Sequence, residues 1–141
     1  MLGDDNSGKL GNGNTVDHST IPLDVFDLTS GVKSVSTGAR HACALTITGW
    51  VKCWGANDKG QLGNGNLTNS AKPVNVTDLT SGVIGIATGD NHSCARLSGG
   101  KLKCWGDNSQ GQLGTGPGIY LIPTDVVGTP FTDKIFKGDF E

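Results

Sequence analysis

The sequence has little of what helical or membrane-spanning proteins need. It contains 1 Met and 35% hydrophobic residues against 23 Gly, which suits many short strands joined by tight turns better than long amphipathic helices. It has no apolar stretch of the roughly 18 residues that a spanning helix requires. Residues 1–10 carry neither the basic start nor the apolar run of a signal peptide. The composition therefore predicts an all-β protein without a membrane span.

Charge of one sign is also scarce. The 11 basic and 13 acidic residues give a formal net charge of -2, so the chain offers no cationic field to hold a phosphate backbone. No phosphate-binding loop, no nucleophile with an adjacent base and no paired acids stand out from the sequence. We therefore expect no nucleic-acid partner, no cofactor and no enzyme activity.

What the sequence does contain is a repeat. Shifting it by 51 residues places Leu28–Val32 on Leu79–Val83, His41–Ala44 on His92–Ala95 and Lys52–Gly55 on Lys103–Gly106. A Gly-x-Leu-Gly motif occurs three times, and each copy later reaches a Pro-x-x-Val. The residues shared by the copies, which we expect to form the structural framework, are His41, His92, Trp54, Trp105, Gly60, Leu62, Gly63, Gly111, Leu113 and Gly114.

One period has the pattern of four strands. Val32 to Thr37 alternates apolar and polar residues, and two further strands, Ala42 to Thr46 and Trp50 to Trp54, flank a three-residue loop that ends in Gly49. The fourth strand carries a proline, Pro22, Pro73 or Pro123 in the three copies, which predicts an outer edge. Four-stranded antiparallel sheets repeated at this spacing indicate β-propeller blades rather than a two-sheet sandwich.

The motif running from Gly38 through Cys43, Trp54 and Gly60 to Gly65 resembles the repeat of the regulator-of-chromosome-condensation family. Its cysteine-bearing form is similar to the versions found in exported bacterial members. The resemblance implies a seven-bladed ring, of which this chain would hold two complete blades. It also suggests a second function class, a guanine-nucleotide exchange factor for a small GTPase.

The repeat predicts four segments. Residues 1–30 are the end of a preceding repeat with its outer strand, 31–78 are the first blade, 79–127 are the second blade, and 128–141 are a tail with a possible partial strand from Asp133 to Phe136. Met1-Leu2 stands where the family has Cys-Trp, so we expect the chain to begin inside a repeat. An open stack of blades could also complete its ring by association of identical chains.

The four cysteines pair by counting outward from the hairpin loops. With a loop at 47–49, Cys43 lies opposite Cys53, and with a loop at 98–100, Cys94 lies opposite Cys104. Directly opposed residues of a hairpin are close enough for a disulfide. Because such bonds persist outside the reducing cytosol, the prediction is an extracellular or periplasmic location.

Two alternatives concern the same residues. His41, Cys43 and Cys53, repeated as His92, Cys94 and Cys104, could be zinc ligands, but their spacing matches no known zinc motif, so no metal is expected. Both histidines occupy one place in the repeat, which favours a hydrogen bond within the framework over catalysis. Trp54 and Trp105 at strand ends favour packing between blades.

Trp50 is the exception to the repeat, because Lys101 stands at its place in the second copy. A non-repeated aromatic residue beside a hairpin loop is a candidate partner contact. The sequence therefore favours a secreted or surface scaffold that binds an unknown protein or ligand without catalysis. The alternatives are the exchange factor and a fragment of an extracellular carbohydrate-active propeller.

Overall fold

The computed structural model describes residues 3–4, 7–15, 18–109 and 118–126, and every regular element among them is a β-strand. The all-β prediction is therefore confirmed. In chain order the strands are β1 (Gly3–Asp4), β2 (His18–Ser19), β3 (Val32–Thr37), β4 (His41–Thr46), β5 (Val51–Gly55), β6 (Ser70–Asn75), β7 (Val83–Thr88), β8 (His92–Leu97), β9 (Leu102–Asp107) and β10 (Ile119–Asp125).

These strands form two four-stranded antiparallel sheets and one short pair. Strands β3 to β6 lie side by side in chain order, and β7 to β10 repeat that order in the second sheet. Strands β1 and β2 pair only with each other. Each four-stranded sheet is thus one propeller blade, and we call them the first and the second blade.

The hairpin between β4 and β5 has the predicted three-residue loop. The Thr46 amide donates to the Trp50 carbonyl at 2.9 Å, and Gly49 closes the loop with a φ of 90°. Glycine adopts this left-handed angle without steric cost, so its position fixes the turn. The resulting register places Cys43 directly opposite Cys53.

The outer strand predicted around Pro22 is not a strand in the described structure. Only His18–Ser19 pairs, with Gly3–Asp4 as its partner. In the first blade the strand around Pro73 bonds to Lys52 and Cys53, and no described residue takes their place beside Pro22. Without that neighbour a proline-bearing edge has no ladder to join.

The main core lies between the two blades. The trailing face of the first blade, formed by Cys43, Leu45, Val51 and Cys53, packs on the leading face of the second blade, formed by Val83, Ala95 and Trp105. All of these residues are buried. Because the two faces alternate along each strand, one set of side chains serves the preceding neighbour and the other set serves the following one.

Within the part of the chain that the structure describes, no helix has the length and apolar character needed to cross a bilayer.

Candidate functional site

Both repeated tryptophans donate a hydrogen bond to the loop of the preceding repeat. Trp105 Nε1 donates to the main-chain oxygen of Gln61 at 2.9 Å, and Trp54 Nε1 donates to that of Lys9 at 2.8 Å. Lys9 and Gln61 occupy the same place in the Gly-x-Leu-Gly motif. Each indole is at most 1% exposed, so it both fills the core and satisfies its N–H group.

The loop glycines make room for these contacts. A Cβ on Gly63 would lie 2.7 Å from Trp105, and one on Gly60 would lie 3.0 Å from the Tyr120 carbonyl of strand β10. Leu62 between them is fully buried in the core cluster. The loop is therefore a clamp between neighbouring blades. The third copy of the motif, with Gly111, Leu113 and Gly114, lies outside the described residues.

Both predicted cysteine pairs are disulfides in the structure. The S–S distance is 2.10 Å for Cys43 and Cys53 and 2.05 Å for Cys94 and Cys104. The first pair is buried between the blades, whereas Cys94 is partly accessible on the trailing face of the second blade. With all four sulfurs bonded to one another, the described residues contain no group of three or more ligands that could hold a metal ion.

His41 forms a buried hydrogen bond to the neighbouring blade. Its Nε2 lies 2.9 Å from Ser93 Oγ, and Ser93 Oγ–H donates to the Gln61 carbonyl at 3.0 Å. Ser93 must therefore accept from His41, so Nε2 carries the proton. Burial first, and the nearby His92 second, lower the pKa of His41 to about 4. His41 is neutral at ordinary pH and acts as a structural donor.

His92 repeats the local setting of His41. Its ring lies against Gly89 as the ring of His41 lies against Gly38, and neither glycine position has space for a Cβ. The side chain of His92 is only half-buried. The same local packing at both positions supports the framework role expected for the two histidines.

Trp50 lies on the surface beside the β4–β5 hairpin. It is 38% exposed, and Ile47 in the hairpin loop is 71% exposed. Lys52 Nζ lies 5.1 Å from the Trp50 ring centroid and donates to Asn75 Oδ1 at 2.7 Å. We call Ile47, Trp50 and Lys52 the Trp50 surface. It borders a shallow cavity of about 400 Å³ whose other wall includes Leu28 and Asp27.

The second blade shows that this position stays accessible when a preceding blade is present. Lys101, the equivalent of Trp50, is exposed although the first blade packs on the second, and so is Ser98, the equivalent of Ile47. Lys101 and Lys103 pair there with Asp125. The same place therefore carries an ion-paired polar surface in one blade and an apolar surface in the other.

Sequence reasoning identified Trp50 but missed Ile47 and Ser93. Ile47 was treated only as part of a turn, and Ser93 only as a variant of Ala42. Comparison of the two copies contained the signal in both cases, because each residue differs in polarity from its counterpart, Ser98 or Ala42. Which of the two differences lies outside and which lies in the interface is decided by the stacking of the blades.

Stacked four-stranded antiparallel sheets, linked by a recurring glycine-rich clamp, define a β-propeller repeat protein. The Regulator of chromosome condensation (RCC1) repeat matches residues 1–45 and 49–96 in one form and residues 32–61 and 83–112 in another. The chain belongs to this family.

Relatives with known names share this repeat in longer proteins. The chain is 40% identical over 116 residues to the human E3 ubiquitin-protein ligase HERC2, covering 81% of this chain and 2% of that protein. It is 36% identical to Protein RCC2 homolog of Xenopus laevis (77% and 23%) and 35% identical to Ultraviolet-B receptor UVR8 of Arabidopsis thaliana (86% and 28%). The chain thus spans less than a third of these relatives.

Solved structures agree on the fold. Human WBSCR16 superposes with a TM-score of 0.76 at 25% identity, covering 89% of this chain and 33% of that one. Prp20p from Saccharomyces cerevisiae, whose structure was described with its binding to Gsp1p and histones, gives a TM-score of 0.78 at 21% identity and covers 94% and 34%. At the latter identity the likeness establishes the architecture alone.

Proposed function

We propose that this chain is part of a secreted or surface-located scaffold that binds a partner protein through the Trp50 surface, without catalysis. The repeat supplies a rigid framework, and function in such frameworks resides in positions that depart from the repeat. The observation that carries the proposal is the exchange of the Lys101–Asp125 surface of the second blade for exposed Trp50 and Ile47 in the first.

The chemistry of the Trp50 surface fits a protein partner. An indole held at one edge by a cation and by the hairpin backbone presents a rigid apolar area, which is the usual anchor of a protein interface. The Trp50 amide donates to Thr46 Oγ1 at 3.0 Å, so the hairpin beneath it is fixed. We infer that an apolar side chain of the partner inserts between Trp50 and Ile47, over the cavity of about 400 Å³.

The extracytoplasmic part of the proposal rests on the disulfides. Two bonds within hairpins, in each of two blades, persist only where thiols are not kept reduced. The check is to recover the protein from its own host in the presence of an alkylating agent and to weigh it by mass spectrometry. Four unmodified cysteines support the proposal, whereas four alkylated thiols place the protein in a reducing compartment.

Site-specific photocrosslinking tests the surface. A photoreactive phenylalanine at Ile47, presented to intact cells of the source, should label one band that excess wild-type protein suppresses. The matched control is the same group at Ser98, which is equally exposed on the second blade. A Trp50→Lys competitor, which copies the residue of the second blade, should fail to suppress the band. Equal labelling from both positions would remove the surface from consideration.

The exchange-factor alternative is separated by a nucleotide-release assay with a small GTPase. Stimulated release that survives Trp50→Lys would replace the scaffold proposal, because the catalysed release would then act through other residues.

A further inference from the structure

The trailing face of the second blade is open in the described structure. On the first blade this face is covered, and Cys43, Leu45, Val51 and Cys53 are at most 1% exposed. On the second blade the same face borders a cavity of about 280 Å³ lined by Gly85, Ile86, Ala87, Cys94, Arg96 and Leu102. An apolar sheet face of this kind needs a cover.

The chain leaves the second blade along the path that it follows out of the first. The Val126 amide donates to the Leu102 carbonyl at 3.1 Å, as the Val76 amide donates to that of Val51 at 3.1 Å. Val126 is 8% exposed and packs against Cys104 on the open face. After Val76, the seventh residue is Val83, the first residue of strand β7; after Val126, the seventh residue is Asp133.

Two positions that meet at the first interface change together at the next one. Leu45 and Val83 share the buried cluster between the blades. Their counterparts one repeat later are Arg96 and Asp133, so an apolar contact becomes a pair of opposite charges. Arg96 is exposed on the open face and forms no ion pair with any described residue.

Side-chain volume changes in the same compensating way. Gly85 and Ala87 stand on the open face where the first blade has Ser34 and Ser36, which widens the space, and Phe136 stands where strand β7 has Ile86. The guanidinium of Arg96 occupies part of that space, since a Cβ on Gly85 would lie 3.5 Å from its Nη2. A larger ring opposite smaller neighbours conserves the packed volume.

We propose that residues 133–136 of this chain dock as an inner strand on the trailing face of the second blade, with the Asp133 carboxylate pairing with Arg96 and the Phe136 ring filling the cavity. The connection into this strand differs from the earlier copies. Thr132 stands at the place of Gly82, whose φ is 79°, and threonine disfavours that angle.

Hydrogen exchange of the full oxidised chain, read by mass spectrometry, tests the docking. Amides of residues 132–137 should exchange about tenfold more slowly than in the isolated peptide. Arg96→Asp and Asp133→Arg should each speed that exchange about threefold or more, and the double reversal should restore it. Lys134→Asp is the matched control, because its counterparts Lys33 and Ile84 are exposed, and it should leave the exchange unchanged.

Three results overturn the proposal. The first is a wild-type segment that exchanges as fast as the isolated peptide. The second is a double reversal that stays as fast as the single variants while peptides from 92–104 keep their protection, which shows that the blade is intact. The third is protection that disappears on dilution together with a dimer in sedimentation, which would identify a second copy as the occupant.

Discussion

His41 in the first blade and Ser93 in the second are joined by a hydrogen bond of 2.9 Å across the blade interface. Ser93 passes the bond on to the Gln61 carbonyl, which also accepts from Trp105. His41 Nδ1 is buried without a hydrogen-bond partner among the described residues. The histidine is therefore built in as a neutral donor, because a second N–H would be buried without an acceptor.

Ser93→Ala should destabilise the chain by about 1–3 kcal/mol, since it leaves the His41 Nε2–H group buried and unsatisfied. Urea unfolding followed by tryptophan fluorescence measures the loss as a lower midpoint. Ser98→Ala, in the exposed hairpin of the second blade, is the control and should change stability by less than about 0.5 kcal/mol. Equal effects of the two changes would contradict a structural role for the interface bond.

The lowered pKa of His41 predicts a loss of stability in acid. The unfolded chain binds a proton on this histidine near its ordinary pKa of 6.5, whereas the folded chain binds it only near pH 4. Stability is thus fully present above about pH 6.5 and falls by about 3 kcal/mol as the pH drops to 4. Unfolding midpoints at a series of pH values, compared with His41→Gln, isolate this contribution. An unchanged slope in the variant would contradict the prediction.

The two disulfides should differ in their rate of reduction. Cys43 and Cys53 are at most 1% exposed between the blades, whereas Cys94 is partly accessible. A thiolate must reach the sulfur that it attacks, so mild reductant should open the Cys94–Cys104 bond first. Timed alkylation and peptide mapping give the order. Removal of either pair by double alanine substitution should cost about 2.5 to 3 kcal/mol by the chain-entropy estimate.

Gly63→Ala should be more damaging than a positive φ alone explains. The new Cβ would lie 2.7 Å from Trp105 at a φ of 68°. Gly99→Ala is the matched control, because Gly99 has a φ of 92° but nothing within 4 Å of its Cβ position. The control should lose about 1–2 kcal/mol from backbone strain, and Gly63→Ala should lose measurably more in the same thermal unfolding experiment. Equal losses would show that the contact with Trp105 is unimportant.

Much of the fold could be predicted because the repeat is written in local patterns. The hairpin loop at 47–49 fixed the Cys43–Cys53 register by counting alone, and the proline at position 73 correctly marked an outer strand. The strand around Pro22 was wrong, since a strand also needs a neighbour that local pattern does not supply. Whether this neighbour exists depends on pairing between distant residues.

The amino-acid sequence by itself determined the strand period, the tight turns, the cysteine pairing and the family, because each depends on residues that are close along the chain. Only the tertiary structure decided which face of each sheet meets which neighbour. It placed Ser93 inside the interface and Trp50 outside it, although both are simple departures from the repeat. The reason is physical: burial depends on what packs against a side chain, and that surface is contributed by residues from another blade.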